Sequence, residues 1–290
     1  MSAPRLGDLV LGWRVDAGLT TALMLSATAY LGATYRGGVR WPLRRSLSFL
    51  GGVAAVAVAL ESGIGRYDNR LLSVHMVQHE ILMLLAAPLL LGGAPVTLAL
   101  RALTGHRRRA LARLLGGRTV RVLSHPSVGL GALAVAMLGT HLTPLYGLAV
   151  TDATLHVLEH LLYLGAALLF WAVVLPPGPV PRRLGGAGQL IYLMAAMPLM
   201  SVVGVVLETE AAPRYLQYVA PAARLGVSAL ADQRLAGALM WIAGTVVMAA
   251  ITLRSAWRSL LEEERRQRVR EHSEDAERSR TGEPLVGAWS

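Results

Sequence analysis

The chain has 290 residues, 54% of them hydrophobic and 16% charged, with a mean hydropathy of +0.48. A typical soluble domain carries about 25% charged residues, so this composition points to a multi-pass membrane protein. There is no cysteine, which removes disulfides, thiolate catalysis and cysteine-held metals. The net charge of +10 comes from arginine alone, and no basic motif interleaved with aromatics accompanies it, so nucleic acid is not the expected partner.

A bilayer core takes about 20 mostly apolar residues per helix. Seven stretches qualify in chain order: 17–35, 47–64, 71–91, 128–146, 153–175, 190–207 and 235–253. The first follows a short apolar run interrupted by Arg14 and Asp16, and is read as a retained span rather than a secretory signal. The third continues weakly towards Leu100 across Pro88 and Pro95. The last is expected to run on into solvent, because the stretch from Leu260 to Arg270 is charged but rich in helix formers.

The sequence therefore predicts an all-α, polytopic bundle of seven transmembrane helices. Residues 1–260 form the membrane domain, and 261–290 a charged cytoplasmic tail, partly disordered. With seven spans, 21 of the 28 arginines fall on one side of the bilayer. The positive-inside rule makes that side cytoplasmic, with the N-terminus outside and the C-terminus inside.

Two H-x-x-x-H runs lie inside these apolar stretches, His75 with His79 and His156 with His160, and His141 lies near the end of the fourth. The i,i+4 spacing puts each pair on one helix face. At 1.5 Å per residue, His75 and His79 are roughly 6 and 12 Å, and His156 and His160 roughly 5 and 10 Å, from the outer ends of their spans. His141 is about 7 Å short of its own outer end. All five converge on the outer part of the membrane. Ionisable groups there are costly, so the set is read as one ligand site for a metal or a haem.

Four neighbours are candidates for supporting roles. Glu159 is placed to orient an imidazole, Glu80 to line an outer vestibule, and the Met76 and Met83 thioethers suit Cu(I), although methionines also fill core gaps. Asp232 and Glu208, at the outer ends of the last two spans, are candidates for a metal entry path. His156, Glu159 and His160 also spell H-x-x-E-H, the pattern of one class of zinc proteases, but no partner carboxylate is evident downstream. A haem-binding redox protein and an intramembrane zinc metalloprotease are therefore the alternatives to a metal carrier.

The run HMVQHEILMLLAAPLLLGGAP, from His75 to Pro95, resembles the signature span of the CtaG family of cytochrome c oxidase assembly factors, the polytopic kind associated with caa-type oxidases. HP at His125-Pro126, THLTPLY, HVLEHLLYLGAALLFW and ADQRLAGALMW are similar to the family's later blocks, in the same order. Glu80 departs from the apolar residue expected there. The resemblance implies a non-enzymatic factor in the plasma (inner) membrane of a bacterium. It implies copper as the ion, His75, His79, His141, His156 and His160 as ligands, and the oxidase catalytic subunit as recipient, with a separate copper donor protein as a further partner.

Overall fold

The computed structural model describes residues 4–36, 40–175 and 184–281. Helices dominate, and no strand occurs among the described residues. In chain order they are α1 (Leu6–Leu11), α2 (Ala17–Arg36), α3 (Leu43–Glu61), α4 (Gly63–Tyr67) and α5 (Leu72–Glu80). A π-helical segment, Ile81–Ala86, leads from α5 into α6 (Ala87–Gly92), followed by α7 (Pro95–Ala102), α8 (Gly105–Gly116) and α9 (Arg118–Leu123). Next come α10 (Pro126–Ala134), a second π segment at Val135–Gly139, α11 (Leu145–Thr151), α12 (Ala153–Val174) and α13 (Gly186–Thr209). A 3-10 turn, Leu216–Tyr218, then α14 (Val219–Arg224) and α15 (Ala229–Thr281) are the last of the described elements.

Among the described residues, five helical stretches are long and apolar enough to cross a membrane: Leu43–Tyr67, Leu72–Ala102, Ala153–Val174, Gly186–Thr209 and Ala229–Trp257. They correspond to five of the seven expected spans. α2 has the length, at 20 residues, but it is studded with Thr20, Thr21, Ser26, Thr28 and Thr34 and falls short of the others in apolarity. The fourth expected span is shorter than the sequence suggested, since its apolar helix covers only Pro126–Gly139. The chain turns at Thr143-Pro144, where the Thr143 hydroxyl caps the Gly139 carbonyl at 2.6 Å and accepts from Leu145 N–H at 3.3 Å. Tyr146, expected to end that span, instead belongs to α11 and folds back over His141.

The third stretch is also remodelled. Pro88 has no N–H to return to the Leu84 carbonyl, and the helix widens to π geometry just before it. It stops at Gly92, where Ala94 adopts a left-handed conformation (φ 48°) and Pro95 opens α7 at a position that needs no donor. Tyr30 of α2 ties down this break, donating to the Gly93 carbonyl at 2.7 Å while stacking on Phe49 at 4.0 Å.

The main core joins α5, α10, α12, α13 and α15 around Tyr146, Tyr163, Phe170 and Trp171. The Trp171 indole donates to the Met83 carbonyl at 2.8 Å, inside the first π segment, where the regular ladder is broken. α13 and α15 cross at glycine: a Cβ on Gly237 would lie 2.5 Å from the Gly204 oxygen. This backbone approach is what small residues permit in lipid. α15 continues past its apolar part as one helix to Thr281, beyond the Leu260 to Arg270 extension expected from sequence, and residues 282–290 lie outside the described residues.

The crossing gives a direct test. Gly237→Val should push the two backbones apart and destabilise the detergent-solubilised protein by about 1–3 kcal/mol, read as a lower Tm. An unchanged Tm would show that the crossing is not tight.

Candidate metal centre

α5 is fixed from its first turn. The Asp232 carboxylate of α15 accepts from Leu72 N–H at 2.6 Å, from Ser73 N–H at 3.4 Å and from the Ser73 hydroxyl. A carboxylate on a helix N-terminus satisfies donors the helix cannot use itself. Asp232 is therefore a cap that orients the helix carrying His75 and His79. Glu208 is likewise engaged elsewhere, accepting from the Trp241 indole at 2.7 Å.

One turn into α5, His75 is wholly buried, and its Nδ1 lies 2.8 Å from the Tyr218 hydroxyl. That hydroxyl gives its single proton to the Asp68 carbonyl at 2.9 Å, so it accepts from His75 Nδ1–H. Burial holds the Tyr218 phenol well above its usual pKa, which keeps it a neutral hydroxyl. His75 therefore carries its lone pair on Nε2, which faces His79 Nε2 at 2.9 Å and a Glu159 oxygen at 3.5 Å.

His141 obeys the same logic. Thr140 donates its hydroxyl to the Ala136 carbonyl at 2.6 Å, so the Tyr163 hydroxyl, 2.6 Å away, donates to Thr140. The Tyr163 oxygen and the Met137 carbonyl, each 2.9 Å from His141 Nδ1, then share the Nδ1 proton. His141 Nε2 is left with the lone pair, buried and without a hydrogen-bond partner.

α12 brings the other pair. His160 Nε2 lies 2.9 Å from Gln78 Oε1. The Gln78 amide nitrogen donates to the Ala59 carbonyl at 2.9 Å and to the Asp68 carboxylate at 3.1 Å, so its oxygen can only accept. His160 is therefore protonated on Nε2 and presents a lone pair on Nδ1. His156 Nε2 stands 3.8 Å from the Asp68 carboxylate, buried and without a hydrogen-bond partner.

The five histidines predicted from sequence lie near one another, but His141, beside His79, joins none of the close groups of ligand atoms found among the described residues. Ring centroids are 4.3 Å apart for His75 and His79, 4.4 Å for His156 and His160, 5.1 Å for His75 and His156, and 6.2 Å for His79 and His141. Among the described residues, three triplets bring ligand atoms within 4.8 Å of one another: His75 with His79 and His160; Asp68 with His156 and His160; and His75 with His156 and Glu159. Glu159 stands closer in than the orienting role expected of it. Both its oxygens are buried without hydrogen-bond partners, and one lies at the His75 lone pair. Glu80 joins none of the three triplets, and one of its oxygens is buried without a partner. Met76 and Met83 pack in the main apolar core, as gap-filling side chains do.

Sequence reading missed Asp68, Gln78, Tyr218 and Tyr163. Gln78 was visible as a polar residue between the two histidines of an apolar helix. The others come from separate elements, and only the fold brings them to the site. The 2.9 Å contact is a hydrogen bond in which His79 Nε2–H donates to the His75 lone pair, and two imidazole nitrogens bound to one ion at about 2.0 Å would stand about 3 Å apart, so the same spacing is compatible with a shared ion.

The profile of the cytochrome c oxidase caa3 assembly factors matches residues 27–260. The chain belongs to this family. It is similar to uncharacterized proteins of Mycobacterium bovis and Mycobacterium tuberculosis, each 30% identical over 267 residues that make up 88% of this chain and 40% of the relative. An uncharacterized protein of Mycobacterium leprae is 27% identical over 258 residues, 84% of this chain and 39% of that one. The chain spans about 40% of the length of these curated relatives. No solved structure matches it. The family match includes every residue of the candidate centre of this assembly-factor relative, from Asp68 to Tyr218.

Removing the cap on α5 tests how the centre is positioned. Asp232→Ala should cost about 0.5–2 kcal/mol, read as a lower Tm, with Asp232→Asn less affected. Equal stability of all three proteins would contradict the capping role.

Proposed function

We propose that the chain is a membrane assembly factor for cytochrome c oxidase that binds copper at the histidine cluster and aids its insertion into the oxidase catalytic subunit. The observation that carries the reading is the pair of His75 and His79 Nε2 atoms 2.9 Å apart, with the His75 lone pair held there by Tyr218. Neutral imidazoles suit copper, and the Asp68 and Glu159 carboxylates nearby favour a cation over an anion in this buried site. Family membership supports the oxidase as the recipient.

We place the cluster on the extracytoplasmic side of a bacterial plasma membrane. With α2 and the helix Pro126–Gly139 counted as crossings, the spans number seven and the arginine-rich loops are cytoplasmic. A topology reporter fused after Arg109 should read as cytoplasmic, and an extracytoplasmic reading would overturn the orientation.

The zinc hydrolase reading gains one observation, because Asp68 supplies beside His156 and His160 the carboxylate that the sequence lacked. The two readings part at Glu159. A hydrolase that uses it as general base fails with Glu159→Gln, whereas a copper carrier tolerates that change better than His156→Ala or His160→Ala.

Copper content is the primary test. Wild-type protein purified from copper-replete cells should contain copper without a Soret band, and the His75→Ala/His79→Ala double variant should lose it at least about ten-fold. Tyr218→Phe, which frees the His75 tautomer while keeping the ring, should weaken copper binding about 10–100-fold. Wild-type protein free of copper, or binding indifferent to these changes, would contradict the proposal.

A further inference from the structure

We infer that the cluster is two overlapping metal stations: Asp68, His156 and His160 capture the ion, and His75, His79 and His160 hold it. The inference rests on the copper reading above and concerns how the ion enters.

The two sets differ in access. His75, His79 and His141 are closed off, with exposures of 0%, 2% and 0%. The His156 side chain is 19% exposed, and both it and His160 line an open cleft together with Arg14, Asp16, Asp68 and Gln78. An ion arriving through this cleft meets Asp68, His156 and His160 before it reaches the buried pair. Asp68, only 4% exposed, sets a carboxylate in the inner wall of the cleft behind the more exposed His156, and a negative group in a cleft walled by low-dielectric protein raises the local concentration of cations.

The sets also differ in chemistry. The capturing set mixes a hard oxygen with imidazole, whereas the holding set is all imidazole and suits a softer or borderline ion. They share His160, so the ion can change stations without being released: His160 stays bound while Asp68 and His156 are exchanged for His75 and His79. The remaining triplet, His75 with His156 and Glu159, takes one histidine from each station. It offers a stepping position in which the unpartnered Glu159 oxygens hold the ion's charge. Gln78 sets the register of the capturing station. Its amide donates to the Asp68 carboxylate at 3.1 Å and its oxygen accepts from His160 at 2.9 Å, so one side chain positions both ligands.

This arrangement makes capture and retention separable. The test uses the full chain in detergent, mixed rapidly with Cu(II) chloride and followed by quenching of intrinsic fluorescence. Elemental analysis after removal of free metal gives the final occupancy. Asp68→Asn keeps an acceptor for Gln78 but loses the charge; it should load about ten-fold or more slowly and reach wild-type occupancy. Asp68→Glu should recover most of the rate, which a folding defect would not do. His79→Ala should load at the wild-type rate but lose its copper readily to a chelator. If Asp68→Asn loads as fast as wild type while wild type binds copper, the two-station scheme falls and the copper reading stands. If wild type takes up no copper, both fall.

Discussion

A neutral imidazole has one proton and one lone pair, and this protein fixes which nitrogen has which. The Tyr218 hydroxyl takes the His75 Nδ1 proton, the Met137 carbonyl and Tyr163 share that of His141, and Gln78 takes that of His160. Each partner is itself committed elsewhere, so the assignments follow from donor and acceptor counts alone. Three lone pairs are thereby set in advance inside an apolar bundle. The purpose of the surrounding structure is to hold them there: Asp232 caps α5, Trp171 secures the π segment below it, and Tyr146 stacks on His141 at 5.0 Å.

The two π segments serve the same end. One follows His79 and the other precedes His141, so both interruptions of regular helix flank the cluster. A π turn leaves carbonyls off the regular ladder and shifts the side chains after it. Here the Met83 carbonyl, in the first, takes the Trp171 indole, and the Met137 carbonyl, in the second, takes the His141 ring. The departures from ideal helix thus supply acceptors in a region with no water to provide them.

Much of this was legible in sequence. The i,i+4 spacing showed that His75 and His79, and His156 and His160, share helix faces, and the apolar runs gave the five long spans now seen. Family membership was also legible in the order of short blocks. The fourth span was misjudged because hydropathy does not register the turn at Thr143-Pro144, so Tyr146 was assigned to a helix end rather than to the ring stack over His141. Asp232 looked like a polar residue at a span end, and nothing local revealed that it reaches across to α5. Asp68 and Tyr218 were invisible for the same reason, since 150 residues separate the Tyr218 hydroxyl from the Asp68 carbonyl it binds.

On the proposed reading, copper in this cluster would be held by imidazole nitrogens, alone or with a carboxylate, and without sulfur. X-ray absorption at the copper edge on the loaded, purified protein measures this directly. The expected spectrum has a shell of nitrogen and oxygen at about 2.0 Å with the multiple-scattering pattern of at least two imidazoles. A sulfur shell near about 2.3 Å would bring Met76 or Met83 into the site and contradict a ligand set of histidines and carboxylates.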